Sequence, residues 1–248
     1  MLFIALILTY KLLNMNAYKR FLLALLMLIS IQLISAQTVV SLEMEKQIPL
    51  KDFKIADIGD PALTGTVKPD GNGFDITAGG ADIWGVKDEF TFVYLEHTGD
   101  FDIATRIEGL TAANLYTKAG LMAREELTPG SRHIFFQVFP DNRSRNHNNG
   151  GYEFQYRQQK DGEMKAIYPE SYEGTPEFPV SYPNTWIRLQ RTGNTFTGYY
   201  STDGKTWKVY TAYKLNLPSR VWLGLAVTSH NTTETASAEF RDIFMIRH

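Results

Sequence analysis

From residue 51 onward, apolar and polar residues alternate in short runs cut by Gly, Pro, Asn and Asp, and no segment sustains helical periodicity beyond two turns. A period of two puts every second side chain on one face of an extended strand. Many short strands joined by frequent turns build a sandwich or a barrel. The alternation predicts strands over Gly73–Ala78, Phe90–Tyr94, Phe101–Ile107, Ala119–Glu125, His133–Phe139, Tyr152–Gln158, Met164–Tyr168, Trp186–Thr192, Thr195–Ser201, Lys208–Tyr213, Val221–Thr228 and Ala236–Ile246. Between them, 141–151 is a polar loop without an apolar anchor. The stretch 168–183 holds four prolines and reads as a long surface loop. No internal repeat of propeller length is present.

One stretch argues for a different β fold. "YYSTDGKTW" (199–207) nearly spells the S-x-D-x-G-x-T-W box of sialidase propellers, but it lacks the residue between Asp203 and Gly204 and occurs once. That box recurs in several blades. Asp-Gly readily adopts the positive φ angles of a hairpin, so the stretch reads as two strands joined by a turn at Asp203-Gly204.

The first 36 residues are of another kind. They contain no Asp or Glu; Lys19 and Arg20 precede the apolar run Phe21 to Ile34, and Ile34-Ser35-Ala36 follows. A charged region, an apolar core and small residues at a cleavage point form a secretory signal peptide. The run is shorter than the ~20 residues a membrane span needs, although an uncleaved N-terminal anchor is the alternative. Residues 1–13 carry a second apolar patch, so Met1 and Met15 are both candidate starts. Residues 37–50 read as a linker or edge segment, and 51–248 as one domain. Removing residues 1–36 from 248 leaves 212, enough to bury a core. Lys11, Lys19 and Arg20 leave with the signal while all 27 acids stay, moving the net charge from −2 to −5. That balance argues against a nucleic-acid partner, which needs a basic footprint, and cleavage would leave no membrane segment. The absence of cysteine excludes disulfides and thiolate metal sites and suits a bacterial exported protein. The expected location is secreted or periplasmic, and the oligomeric state is not legible.

Several runs resemble a known family when taken in order: "DIGDPALTG" (57–65), "GADIWG" (80–85), "DEFTFVYLEHTGDFDIATRI" (88–107), "KAGLMARE" (118–125), "YEFQYR" (152–157), "WIRLQRTGNTFTGYYSTDGKTW" (186–207) and "GLAVTSHN" (224–231). Together they resemble the secreted concanavalin A-like module named for "regulation of enolase protein 1", a domain of unknown function. Related jelly rolls are appended to bacterial polysaccharide-degrading enzymes. The resemblance covers roughly residues 50–247. It implies an all-β, concanavalin A-like jelly-roll sandwich of two antiparallel sheets, one of them concave, and a carbohydrate context without a settled activity.

Strand parity then selects residues. Ala119, Leu121 and Ala123 share one face, and Lys118, Gly120, Met122 and Arg124 the other. Likewise Tyr152, Phe154 and Tyr156 oppose Glu153, Gln155 and Arg157, while His133, Phe135, Gln137 and Phe139 oppose Ile134, Phe136 and Val138. If these strands are neighbours, Lys118, Arg124, Gln137, Gln155 and Arg157 converge with Trp84. An indole covers the apolar face of a pyranose, and planar amide or guanidinium groups fork onto hydroxyls or carboxylates. The expected partner is a polysaccharide or oligosaccharide. The competing reading pairs Arg124 with Glu125 inside the sheet and makes Trp84 a plug at one end of the core.

Catalytic signatures are sparse. Family-16 glucanases, which share this fold class, carry E-x-D-x-x-E on one strand face, and no such string occurs here. Glu125 and Glu126 point to opposite faces of a strand, and Asp100 and Asp102 flank the turn glycine Gly99. No serine lies in a nucleophile elbow. The histidines lack paired-ligand spacing, which argues against zinc. Asp57, Asp60 and Asp242 are hard oxygen donors near the domain ends and make structural calcium the one cofactor to consider; the alternative is ordinary turn carboxylates. Non-catalytic recognition of carbohydrate is the expected function. A glycosidase with an unrecognised acid pair, or a structural or protein-binding sandwich, are the alternatives.

Overall fold

The computed structural model describes residues 45–140, 150–167 and 179–246. The segment read as a signal peptide and most of the two predicted loops therefore lie outside the described residues. In chain order the strands are β1 (Glu45–Gln47), β2 (Lys54–Ile58), β3 (Thr66–Asp70), β4 (Gly73–Gly80), β5 (Ile83–Trp84), β6 (Lys87–Asp88), β7 (Phe90–Thr98), β8 (Phe101–Leu110) and β9 (Lys118–Arg124). They continue with β10 (His133–Val138), β11 (Tyr152–Arg157), β12 (Met164–Ile167), β13 (Thr185–Thr192), β14 (Thr195–Ser201), β15 (Lys208–Lys214), β16 (Arg220–Thr228) and β17 (Asn231–Ile246). One sheet runs β15-β14-β13-β8-β17-β4-β3 and a seven-stranded sheet runs β12-β11-β10-β9-β16-β7-β2. β1 also pairs with β17, and each neighbouring pair along these two paths is antiparallel. The chain repeatedly leaves one sheet for the other, as from β7 to β8 and from β16 to β17, which makes a jelly-roll sandwich.

Each predicted strand is present. The inner faces meet in one core that includes Leu121, Ile134, Phe136 and Phe154 from the seven-stranded sheet and Ile76, Ile103, Leu189 and Phe240 from the other. Each such side chain contributes roughly 1.5–3 kcal/mol by leaving water. The alternation missed β2 and β3, short strands at the ends of the sheets with little buried surface. Pro69 in β3 sits where a strand has no inner partner to receive its missing N–H.

The Asp203 turn differs from a two-residue hairpin. β14 and β15 pair through Tyr200 and Lys208, and of the two central residues only Gly204 has positive φ, at 68°. Asp203 Oδ1 instead accepts the backbone N–H groups of Lys205 and Thr206, at 2.8 and 2.7 Å. Those donors, the Thr206 one foremost, pull the carboxyl far below its ordinary pKa. A Cβ on Gly204 would lie 3.0 Å from the Trp186 ring. Gly204→Ala is therefore expected to cost about 1–2 kcal/mol for left-handed backbone, read as a melting temperature a few degrees lower.

The two sheets differ on their outer faces. β13 alternates buried and half-buried residues, as a solvated face requires. β9, β10 and β11 are buried at every position, so something covers their second face. A separate apolar cluster marks the cover: Ile83 packs with Phe90, Phe92, Met122 and Phe135. The β5–β6 hairpin and the loop 125–132 supply it.

Candidate functional site

Register sorts the outer face of the seven-stranded sheet into rows. Arg157, His133 and Arg124 lie side by side across β11, β10 and β9. The next row is Gln155, Phe135 and Met122, and the third is Glu153, Gln137 and Gly120. The two ends of these strands have different fates.

The first row is sealed. Asp88, from β6, is fully buried over it and takes both arms of Arg157, each at 2.7 Å. The remaining Arg157 hydrogens reach the carbonyls of Gly162, Pro129, Ser131 and Gly85. Arg124 donates to the carbonyls of Glu126 and Thr128 and lies 5.0 Å over the Phe90 ring. Burial lowers its pKa to about 10, against the pull of Asp88. His133 Nδ1 lies 3.0 Å from the Ser131 carbonyl, which fixes the Nδ1–H tautomer of a neutral ring. Burial pushes its pKa down to about 3; Asp88 raises it, while Arg124 and Arg157 lower it. This row fastens the cover to the sheet.

The other end stays open. A cavity of about 450 Å³ is lined by Asp82, Trp84, Tyr116, Lys118, Glu153, Gln155 and His230. Three connections deliver these side chains. Trp84 comes from the β5–β6 hairpin, where it faces Lys87, and the residue is 42% exposed. Tyr116 comes from the β8–β9 loop, whose shape is held by the Thr117 hydroxyl: it accepts from the N–H groups of Ala113 and Asn114 and donates to the Ser229 carbonyl. His230 sits where the chain crosses between sheets, with φ at 54°. Thr228 and Ser229 beside it donate to the Gly80 carbonyl, tying this crossing to the segment that leads to Asp82.

Asp82 is the hub of the wall. Its carboxylate pairs with the Lys118 ammonium and lies 3.1 Å from His230 Nδ1. Burial raises the Asp82 pKa, but His230 and Lys118 together outweigh it and leave the group below its ordinary value. Lys118 is 6.0 Å from the Trp84 ring centroid, and the Tyr116 and His230 rings are 5.4 Å apart. On the floor, Glu153 Oε1 accepts from Gln137 Nε2 at 3.0 Å and from Gln155 Nε2. Gln137 Oε1 and Gln155 Oε1 are buried without a hydrogen-bond partner among the described residues.

Of the residues selected by parity, Trp84, Lys118 and Gln155 meet at this cavity, and Gln137 is buried beside Glu153. Arg124 and Arg157 do not line this cavity: both are fully buried beneath the β5–β6 hairpin and the 125–132 loop. Arg124 is not paired with Glu125, which instead binds Arg132 at 2.6 Å. The aspartates proposed for calcium do not converge. Asp57, in the seven-stranded sheet, accepts from Gly65 N and the Thr91 hydroxyl, whereas Asp242, in the other, binds Arg106 and Asn72. Asp60 lies in a left-handed turn with φ at 56°. No group of three or more His, Asp or Glu side chains among the described residues could hold a metal ion. Sequence reasoning missed Asp82, Asp88, Tyr116 and His230, all on short connections without periodicity. Glu153 was placed on the correct face but not chosen, although its parity with Gln155 was the available signal.

The comparisons with known proteins fit this architecture. Residues 54–246 match the model of a family described as "Protein of unknown function (DUF1349)". A functionally unknown protein from Saccharomyces cerevisiae is similar at 12% identity with a TM-score of 0.60, over 81% of this chain and 99% of that one. The GH43 protein BlXynB from Bacillus licheniformis is similar at 11% identity and a TM-score of 0.50, over 78% of this chain and 39% of its own. A 1,3-alpha-1,4-beta-D-galactose-4-sulfate-3,6-anhydro-D-galactose 4 galactohydrolase is similar at 9% identity and a TM-score of 0.50, over 82% of this chain and 92% of its own. At these identities the likeness is one of fold. No curated protein matches the chain.

Proposed function

We propose, for a chain that belongs to the DUF1349 family of proteins of unknown function, non-catalytic recognition of a saccharide in the Trp84 cavity. One observation carries this reading: a half-exposed Trp84 stands at the rim of a cavity whose floor presents the Gln155 amide, fixed by the Glu153 carboxylate. Aromatic rings cover the apolar face of a sugar ring, and fixed amides sort its hydroxyls. The cavity falls within the roughly 300–1,000 Å³ common for small-molecule sites. Similarity in fold to two carbohydrate-acting proteins, the GH43 protein and the galactohydrolase, agrees with the reading. The apolar core and charged flank within residues 1–36 support export of the "regulation of enolase" type, which would bring the domain to extracellular polysaccharide.

Two carboxylates border the cavity, which raises the question of glycoside cleavage. A general acid needs a raised pKa, and Asp82 is lowered by His230 and Lys118. Glu153 is fixed by two amides. Binding without cleavage is the reading these groups support. The mature chain is expected to be retarded on a polysaccharide in affinity electrophoresis without releasing reducing ends. Trp84→Ala is expected to keep the melting temperature and weaken retention about tenfold, the loss of roughly 1.4 kcal/mol of ring contact. Release of reducing sugar, or undiminished retention by a folded variant, would refute it.

A further inference from the structure

We infer that the cavity selects an uncharged sugar, read through hydroxyl groups that donate hydrogen bonds, and rejects carboxylated or sulfated sugars. The inference rests on the saccharide reading above and deepens it. An ionised carboxylate only accepts hydrogen bonds. Glu153 Oε1 therefore draws the NH₂ groups of both Gln137 and Gln155 to itself, and this fixes which way each amide faces. Their carbonyl oxygens are turned away from Glu153. Both are fully buried, and neither has a partner among the described residues.

A buried acceptor without a donor costs about 1–3 kcal/mol, and Gln155, the one of the two that lines the cavity, offers its carbonyl to a ligand that brings donors. Sugar hydroxyls do; carboxylate and sulfate groups bring acceptors alone. Among the described residues that line the cavity, the one Lys or Arg is Lys118, and its ammonium is engaged by Asp82. The rest of the wall offers rings at Trp84, Tyr116 and His230. Glu153 thus acts as a positioning residue that sets the polarity of two neighbours.

The test is a panel of neutral polysaccharides (xylan, galactan, mannan, β-glucan) and acidic ones (alginate, polygalacturonate, carrageenan), run with the mature chain. Retention on at least one neutral polymer and on no acidic one is expected. Comparable retention on an acidic polymer overturns this inference while leaving saccharide recognition standing, and no retention on any polymer ends both. Gln155→Met removes one acceptor without changing bulk greatly. It also removes one of the two amide donors to Glu153, so it is expected to lower the melting temperature by a few degrees while weakening neutral-polymer retention about tenfold. A folded Gln155→Met with unchanged retention overturns the inference, whatever the panel shows.

Discussion

Arg157→Met is expected to destabilise the protein by about 3–5 kcal/mol, the cost of leaving one member of a buried ion pair without its partner. Asp88 is fully buried and both its oxygens lie 2.7 Å from Arg157. Arg124 and His133 stand farther off, at 3.6 and 3.7 Å, and cannot replace that fork. The converse change is expected to be milder. In Asp88→Asn the guanidinium keeps the four carbonyls it already binds, so the loss should be smaller than for Arg157→Met. For a domain of this size each kcal/mol moves the midpoint by roughly 2–4 °C. Calorimetry should therefore find Arg157→Met about 10 °C lower, with Asp88→Asn between it and the parent. A midpoint for Arg157→Met within 2 °C of the parent would show that the pair is not holding the cover.

This pair bears on function through geometry. Trp84 and Asp88 belong to one two-stranded hairpin, in which Ile83 faces Asp88 and Trp84 faces Lys87. Arg157 grips that hairpin twice, at the Asp88 carboxylate and at the Gly85 carbonyl. The hairpin is further fixed by Asp88 N on the Pro129 carbonyl and Met164 N on the Gly85 carbonyl. The indole thus gets its position from an ion pair at the opposite end of the same strands. The sealed row makes the open row possible: a single short hairpin is nailed down at one end and presents a ring at the other.

How much of this the residues reveal before folding depends on the range of the interaction. Local alternation places Leu121, Phe136 and Phe154 inward and Gln137, Gln155 and Arg157 outward, because strand parity is a property of neighbours in sequence. What parity cannot say is whether the outer side meets water. His133, Gln137 and Gln155 look like a solvated face, yet each is fully buried. The cover comes from a hairpin of two-residue strands and a loop, 69 positions away from Arg157 in the case of Asp88. Neither segment has a period to detect. One hint was present: "FTFVY" (90–94) has apolar residues at both parities, and a strand buried on both faces reads that way. Phe90 and Phe92 do pack under the cover while Val93 joins the main core. The cavity was half legible for the same reason. Its floor lies on strands, and its wall of Asp82, Tyr116 and His230 lies on connections brought together by the fold.

Acid should reveal the sealed row through His133. The ring is fully buried and kept neutral, with its pKa lowered to about 3. In the unfolded chain the same ring titrates near 6.5. Between those values the unfolded state binds a proton that the native state refuses, so stability must fall as pH falls. The contribution is intact above pH 6.5 and erodes by up to about 1.4 kcal/mol per pH unit down to about 3. Near pH 5, before most carboxylates titrate, the loss from this residue is about 2 kcal/mol. Asp88, Arg124 and Arg157 surround the ring, so the balance belongs to the whole cluster. His133→Leu removes the titration and the buried Nε2 that has no partner among the described residues. The Ser131 carbonyl retains Arg157 as a donor in that variant. Urea unfolding from pH 7 to pH 5 is expected to show the parent losing about 2 kcal/mol more than His133→Leu. Parallel curves for the two proteins would mean that the imidazole already carries its proton in the folded state, and the neutral ring assigned to this row would be wrong.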